Sequence, residues 1–255
     1  MELPANEFKA RLTTGAAVQW GMFTSLADPV AAEICAGAGF DFVVADTEHA
    51  PADLRTVLGQ LQAMSAYPVE PVVRTFDDDP AVLKRFLDLG ARTLLVPMVA
   101  SGEQAAAIVR ATRYGGDGVR GVSSARAARW GRVPGYHATA DEQICVLVQV
   151  ESAAALERLD EICAVPGVDG VFVGPMDLAT SLGYVGGGTH PDVVAVVEAT
   201  LRRIAEAGAT PGVLASTPDL IGRYVAAGAR FVAAGVDTML LARATSDLRE
   251  SLPGV

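Results

Sequence analysis

Short apolar runs recur along the chain, at 17–23, 40–45, 71–73, 93–96, 145–150, 170–173, 212–215 and 231–234. Each has the length and the continuous hydrophobicity of a strand buried on both faces, the habit of parallel sheets. Between them the period changes to that of helices. Asp28-Pro29 opens a helical run that leaves at Gly37, and Pro51 leads into 53–64. Asp79-Pro80 opens a run that closes at Leu89-Gly90, while 103–112 and 152–163 carry two more. Acid-proline starts and glycine exits are where helix termini favour those residues. Eight such strands with helices between them predict a closed (β/α)8 barrel rather than an open sheet. No change of composition marks a second unit, so 1–255 is expected to be a single barrel domain.

Two stretches break the alternation. Residues 114–136 begin with Tyr114-Gly115-Gly116-Asp117-Gly118 and run on through Arg120, Arg126, Arg129 and Arg132, too long for an ordinary connection. Residues 183–189 hold a triple glycine before His190-Pro191. Long irregular loops at the carboxyl rim of such a barrel are functional or mobile. The four arginines are therefore open to three roles: the site, a subunit contact or plain solvation.

The residues just past each strand carry the chemistry. The run 170–173 stops at Gly174-Pro175, where ladder pairing cannot continue, and Met176-Asp177 comes next. The run 145–150 ends in Glu151. Each acid taken singly reads as a cap for the following helix; the two together, delivered to one rim, outline a site for a hard divalent cation, which takes one or two carboxylates and leaves room for substrate and water. The run 40–45 ends in Asp46-Thr47-Glu48-His49, and 71–73 ends in Arg74. Arg74 offers a planar fork for a carboxylate or enolate, or else pairs with a barrel acid. His49, one turn past Asp46, is placed for that carboxylate to fix its tautomer and make it an acid or base near neutral pH. His137 and His190 have no such neighbour.

Composition narrows the chemistry. A formal charge of −10 argues against nucleic acid or an anionic membrane as partner, since both require a basic face. Hydrophobic residues make up 51% of the chain, with mean hydropathy +0.32, which points to surface covered in a homo-oligomer. Cys35, Cys145 and Cys163 lie in apolar patterns without CxxC spacing and read as reduced core residues. No secretory pattern and no membrane-length apolar run is seen, so a soluble cytoplasmic protein is expected. Lys9 and Lys84 are the only lysines and neither ends a strand. A Schiff-base route is thereby set aside in favour of a metal ion acting as Lewis acid on a 2-oxo acid.

The strings Asp46-Thr47-Glu48-His49-Ala50-Pro51, Pro71-Val72-Val73-Arg74, Thr93-Leu94-Leu95-Val96-Pro97-Met98, Val148-Gln149-Val150-Glu151, the run from Gly170 to Leu178 and the run from Phe231 to Thr238 together resemble the HpcH/HpaI class II pyruvate aldolases, over almost the whole chain. The branch most similar is that of the 4-hydroxy-2-oxoheptanedioate and hydroxy-keto-acid aldolases. The resemblance implies a barrel of the phosphoenolpyruvate/pyruvate type and a magnesium, manganese or cobalt ion. It further implies pyruvate and an aldehyde as products, and a hexamer whose paired subunits exchange their last helix. Position by position it implies Glu151 and Asp177 as metal ligands, Arg74 on the keto or enolate oxygen, and Gln149 as a nearby polar contact. Gly174 and Pro175 would form the turn that aims the N–H groups of Met176 and Asp177 at the pyruvate carboxylate. His49 with Asp46, usually through water, would manage the C4 hydroxyl proton, Leu214 would wall the aldehyde pocket, and Asp88 would come from a neighbouring subunit. Met176 stands where the family has a small residue, Gly115-Gly116 replaces Pro-Pro, and the segment around Arg126, where an arginine would bind a distal carboxylate, is shortened. A citryl-type lyase and a non-catalytic keto-acid binding protein are the rival readings.

Overall fold

A computed structural model of the protein describes residues 4–15 and 17–253. Eight parallel strands close on themselves in chain order. They are β1 (Gln19–Thr24), β2 (Phe42–Asp46), β3 (Glu70–Arg74), β4 (Thr93–Val96), β5 (Cys145–Val150), β6 (Gly170–Val173), β7 (Pro211–Leu214) and β8 (Phe231–Val236). The helices are α1 (Glu7–Thr14), α2 (Pro29–Ala36), α3 (Leu54–Met64), α4 (Pro80–Asp88), α5 (Gly102–Ala111), α6 (Tyr136–Gln143), α7 (Ala153–Glu157), α8 (Leu159–Cys163), α9 (Pro175–Ser181), α10 (Pro191–Glu206), α11 (Pro218–Ala226) and α12 (Asp237–Ser251). The expected strands are all present, three with the expected ends and five displaced by one or two residues. Asp28, Asp53, Asp79, Ser101, Ser152 and Thr217 each cap a helix by accepting N–H groups of its first turn.

Three features depart from the pattern. The expected helix over 152–163 is two short ones, parted at Arg158. Within 114–136 the chain forms a 3-10 turn, Arg126–Ala128, and enters α6. The third is α1, which no periodicity announces: it turns Phe8 and Leu12 into the amino end of the barrel, and both are buried.

Alternation along the strands decides what faces inward. One buried cluster fills the barrel with Phe23, Phe42, Val44, Val72, Leu95, Leu147, Phe172 and Phe231. The intervening residues, among them Val43, Ala45, Val73, Leu94, Val96, Val148 and Val171, pack beneath the helices. Carrying the inward parity to the carboxyl ends puts Asp46 above Val44, Arg74 above Val72 and Gln149 above Leu147. The rings need room to fill the barrel: a Cβ on Gly21 would fall on the Phe42 ring, and one on Gly212 on the Phe231 ring. Register then sets neighbours, because Asp46 and Arg74 are direct partners across β2 and β3.

Candidate active site

The carboxyl-end mouth of the barrel holds a buried charge network. Arg74 donates from Nε to Asp46 Oδ1 and from Nη2 to Asp46 Oδ2, each at 2.8 Å, in a bidentate fork. Its Nη1 lies 2.9 Å from Glu48 Oε2, and its Cζ sits 4.9 Å from the centre of the Phe23 ring. Asp46 also accepts from the backbone of Glu48 and from the Ser25 hydroxyl, at 3.1 Å each. Burial on its own pushes the Asp46 carboxyl up, but the hydrogen bonds and charge of Arg74 hold it below the ordinary range. Arg74 is thus fixed by two acids, both from the loop-bearing end of β2.

Beside this network stand the acids of β5 and α9. Glu151, buried, accepts the N–H of Met98 at 2.8 Å on Oε1 and the Gln149 side-chain amide on Oε2. Met98 reaches it from a left-handed backbone conformation, φ +56°, rare for a residue with a side chain. The Glu151 carboxyl is pushed up to about 7, first by burial and then by the negative charges of Glu48 and Asp177, against the pull of its two donors. Glu48 is shifted upward as well, by burial foremost, with Asp46 and Asp177 adding to the effect against Arg74. Glu151, Asp177 and Glu48 are therefore close enough to repel one another. A Cβ on Gly174 would fall on Glu151 Oε2 and meet the Gln149 amide, so only glycine lets these groups lie against the turn that starts α9. Pro175 follows as its first residue.

Met176 is 51% exposed, with its thioether lying against Gly188. The side chain therefore leans on the glycine loop rather than filling the space beside Glu151. Leu214 ends β7 and packs on the inner cluster.

One expectation is altered by this geometry, and Asp88 and Arg126 are found away from the chain's own mouth. The His49 imidazole does not rest on Asp46, which accepts only the residue's backbone N–H, at 3.4 Å; both Asp46 oxygens are committed to Arg74. The ring is 61% exposed and its nearest carboxylate is Glu48, 3.8 Å from Nε2. Asp88 closes α4 and so lies at the amino end of the barrel, away from its own chain's mouth, with Oδ1 3.5 Å from Arg120 Nη2. Arg126 is on that side too: it donates to the Leu89 carbonyl and lines a cavity of 260 Å³ with Arg92, Arg129 and Tyr136.

Glu48, the Met98 N–H and Ser25 belong to the mouth and are not singled out by the sequence reading. For Glu48 a signal exists: it is the second acid of the Asp46-Thr47-Glu48-His49 string that follows β2. For Met98 and Ser25 only the fold supplies it.

The donor set suits a hard divalent ion. Among the described residues no three His, Cys, Asp or Glu side chains gather closely enough to hold an ion alone. Glu151 and Asp177 supply two carboxylates whose mutual repulsion a cation would relieve, and the buried Gln149 Oε1 beside them has no partner.

A closed (β/α)8 barrel with acids and a guanidinium gathered at its carboxyl end defines the class as a barrel enzyme working from that mouth. The model of the HpcH/HpaI aldolase/citrate lyase family matches residues 19–244, and the chain belongs to that family; it is a carbon–carbon lyase. Its relatives include a hydroxypyruvate/pyruvate aldolase of Deinococcus radiodurans, 55% identical over 97% of this chain and 90% of that protein. A 4-hydroxy-2-oxo-heptane-1,7-dioate aldolase of Escherichia coli is 50% identical over 95% and 93%. The crystal structure of an HpcH/HpaI aldolase/citrate lyase family protein from Burkholderia cenocepacia J2315 superposes with TM-score 0.93 at 42% identity, covering 96% of this chain and 98% of that one.

Proposed function

We propose that the protein is a divalent-metal-dependent aldolase that reversibly cleaves 4-hydroxy-2-oxo acids to pyruvate and an aldehyde. The observation that carries this reading is Arg74, locked by Asp46 and Glu48 beside Glu151, on whose carboxyl the charge of Asp177 also acts. When bound, the ion would draw electron density from the 2-oxo group and so acidify C3. Glu151 and Asp177 would hold it, magnesium, manganese or cobalt being the candidates, with the unpartnered Gln149 Oε1 facing the same space.

Arg74 donates to the keto oxygen and more strongly to the enolate oxygen as charge develops there. The backbone N–H groups of Met176 and Asp177, after Gly174-Pro175, meet the substrate carboxylate at the start of α9. His49, with Glu48 rather than Asp46 as its neighbouring carboxylate, removes the C4 hydroxyl proton; the C3–C4 bond then breaks and the pyruvate enolate takes up a proton. Leu214 contributes an apolar wall for the departing aldehyde. Asp88 would reach a mouth only from another subunit. Met239, Leu240, Leu241 and Leu248 of α12 are exposed, which favours an oligomer in which that helix is covered. A hexamer is the form proposed.

Pyruvate in deuterated water tests the reading without knowledge of the aldehyde. The expected result is methyl-proton exchange that needs a divalent ion and stops with chelator. Exchange that persists undiminished in metal-free protein overturns the metal's role, and no exchange under any ion overturns the enolate.

A further inference from the structure

Asp237 begins α12, yet its carboxylate serves a different part of the chain. Oδ1 accepts the N–H of Ser25 at 2.7 Å and that of Thr238 at 2.7 Å, and Oδ2 accepts the N–H of Leu26 at 3.2 Å. The residue is only 6% exposed, and among the described residues no cation pairs with it. A carboxylate buried without a counter-ion is costly unless backbone donors surround it, and here they come chiefly from the loop between β1 and α2. That loop carries Ala27 at φ +55°, a conformation that must be held by something outside itself.

The pinned loop then touches the reaction centre. Ser25, whose N–H is held by Asp237, donates its hydroxyl to Asp46 Oδ2 at 3.1 Å, the same oxygen that receives Arg74 Nη2 at 2.8 Å. Phe23, two residues earlier, lays its ring under the Arg74 guanidinium. A continuous path therefore runs from Asp237 through Ser25 and Asp46 to Arg74, joining β8 to β3 across β1 and β2.

We propose that Asp237 and Ser25 are positioning residues that set the orientation of Arg74 toward the developing enolate oxygen. The consequence for turnover rests on the role given to Arg74 above; the positioning itself does not. Since an oxyanion partner counts most where charge is greatest, misplacing it lowers kcat more than it raises KM.

Ser25→Ala, Ser25→Thr, Asp237→Asn, the Ser25→Ala/Asp237→Asn double variant and Asp28→Ala are compared in full-length protein. Asp28 caps α2 from the same loop but touches neither Ser25 nor Asp46, so Asp28→Ala reports what loss of loop stability does by itself. Loss of one link is expected to lower kcat for pyruvate release about fivefold to tenfold in Ser25→Ala and about tenfold in Asp237→Asn, with KM within twofold. Thr restores the hydroxyl and the rate. The double variant falls no further than the worse single one, and Asp28→Ala lowers Tm but leaves kcat at the parent value. A wild-type kcat in Ser25→Ala, multiplicative losses in the double variant, or an equal kcat loss in Asp28→Ala overturns the proposal.

A readout free of turnover keeps this apart from the aldolase reading. The Arg74 side-chain Nε–H, assigned in NMR spectra by its loss in Arg74→Lys, is expected to exchange with solvent at least about tenfold faster in Ser25→Ala and Asp237→Asn and at the parent rate in Asp28→Ala. Unchanged protection in the first two overturns the positioning role even if the enzyme is an aldolase. Altered protection in a protein that releases no pyruvate upholds the positioning and removes only the reaction. Should Asp237→Asn fail to fold, Ser25→Ala carries the decision.

Discussion

At the carboxyl end of the barrel the inward positions are Asp46, Arg74, Gln149 and Glu151; at the amino end they include Phe42, Cys145 and Phe231, covered by Phe8 and Leu12 of α1. The amino end has polar groups too, but they answer one another. Glu70 accepts from Arg92 at 2.8 Å and from Thr93 at 2.7 Å, and Asn6 donates to Thr93 at 3.0 Å; of the inward polar atoms there, Gln19 Oε1 lacks a partner. In the mouth, by contrast, Glu48, Glu151 and Asp177 push against each other and two carboxyls are shifted upward. The same strands thus end in one face whose interactions, Gln19 Oε1 apart, are closed and another whose charges call for a ligand. Stability and chemistry are separated along the barrel axis.

The sharpest way to break this contrast is Arg74→Ala. It strands buried Asp46 and half-buried Glu48 as unpaired carboxylates, which costs on the order of 3–5 kcal/mol of stability at neutral pH. It also removes the enolate partner, so turnover falls about 100-fold or more. Urea unfolding and pyruvate release measure the two effects. Parent turnover in a folded Arg74→Ala protein would take the guanidinium out of the chemistry. The opposite end should behave in the opposite way. Phe8 is fully buried against Phe42, with ring centroids 5.2 Å apart, and against Phe231. Phe8→Ala is expected to lose about 3–5 kcal/mol of stability while kcat, measured well below the new Tm, stays within about twofold. A large kcat loss there would mean that the plug and the mouth are coupled.

How far the sequence goes toward this picture depends on what periodicity can carry. The eight apolar runs are legible because parallel strands are buried on both faces, and the rim acids are legible because they interrupt those runs. Glu151, Asp177, Arg74 and Asp46 are reached in that way. The direct contact expected between the His49 ring and Asp46 is not made for a physical reason: adjacency to Asp46 is a statement about the chain, whereas sheet register aims Asp46 across at Arg74. Asp237 is the extreme case, because its partners Ser25 and Leu26 lie more than 200 residues away and no local pattern announces them. α1 escapes because only Phe8 and Leu12 of its residues are buried, too few to raise a helical period above its polar remainder.

The upward shift of Glu151 sharpens the contrast by pH. A carboxyl whose folded pKa is about 7, raised from 4.5, binds its proton more tightly in the folded state. The stability this gives is fully present below the unfolded value and is lost as pH rises through about 7. In chelator-treated protein, stability is therefore expected to decline between pH 5 and pH 8 by up to about 3 kcal/mol. Glu48 contributes in the same direction, while Asp46, held low, acts only in more acidic solution. Glu151→Gln should flatten the decline. An equally steep decline in that variant would place its origin elsewhere.

Met98 offers the smallest effect and the finest test of what the mouth uses. Its side chain is 57% exposed, its backbone is left-handed, and its N–H is donated to Glu151. If the mouth needs only that N–H, the side chain is dispensable and its backbone strain is a cost retained for the sake of the turn. Relief of a left-handed non-glycine conformation is worth about 1–2 kcal/mol, against about 0.5–1 kcal/mol for the greater freedom glycine has when unfolded. Met98→Gly is thus expected to gain about 0.5–1 kcal/mol in urea unfolding, with pyruvate exchange within about twofold of the parent. A tenfold loss of exchange without loss of stability would instead show that the thioether of Met98 takes part in holding the substrate, and that the mouth is built of side chains at β4 as well as at β2, β3 and β5.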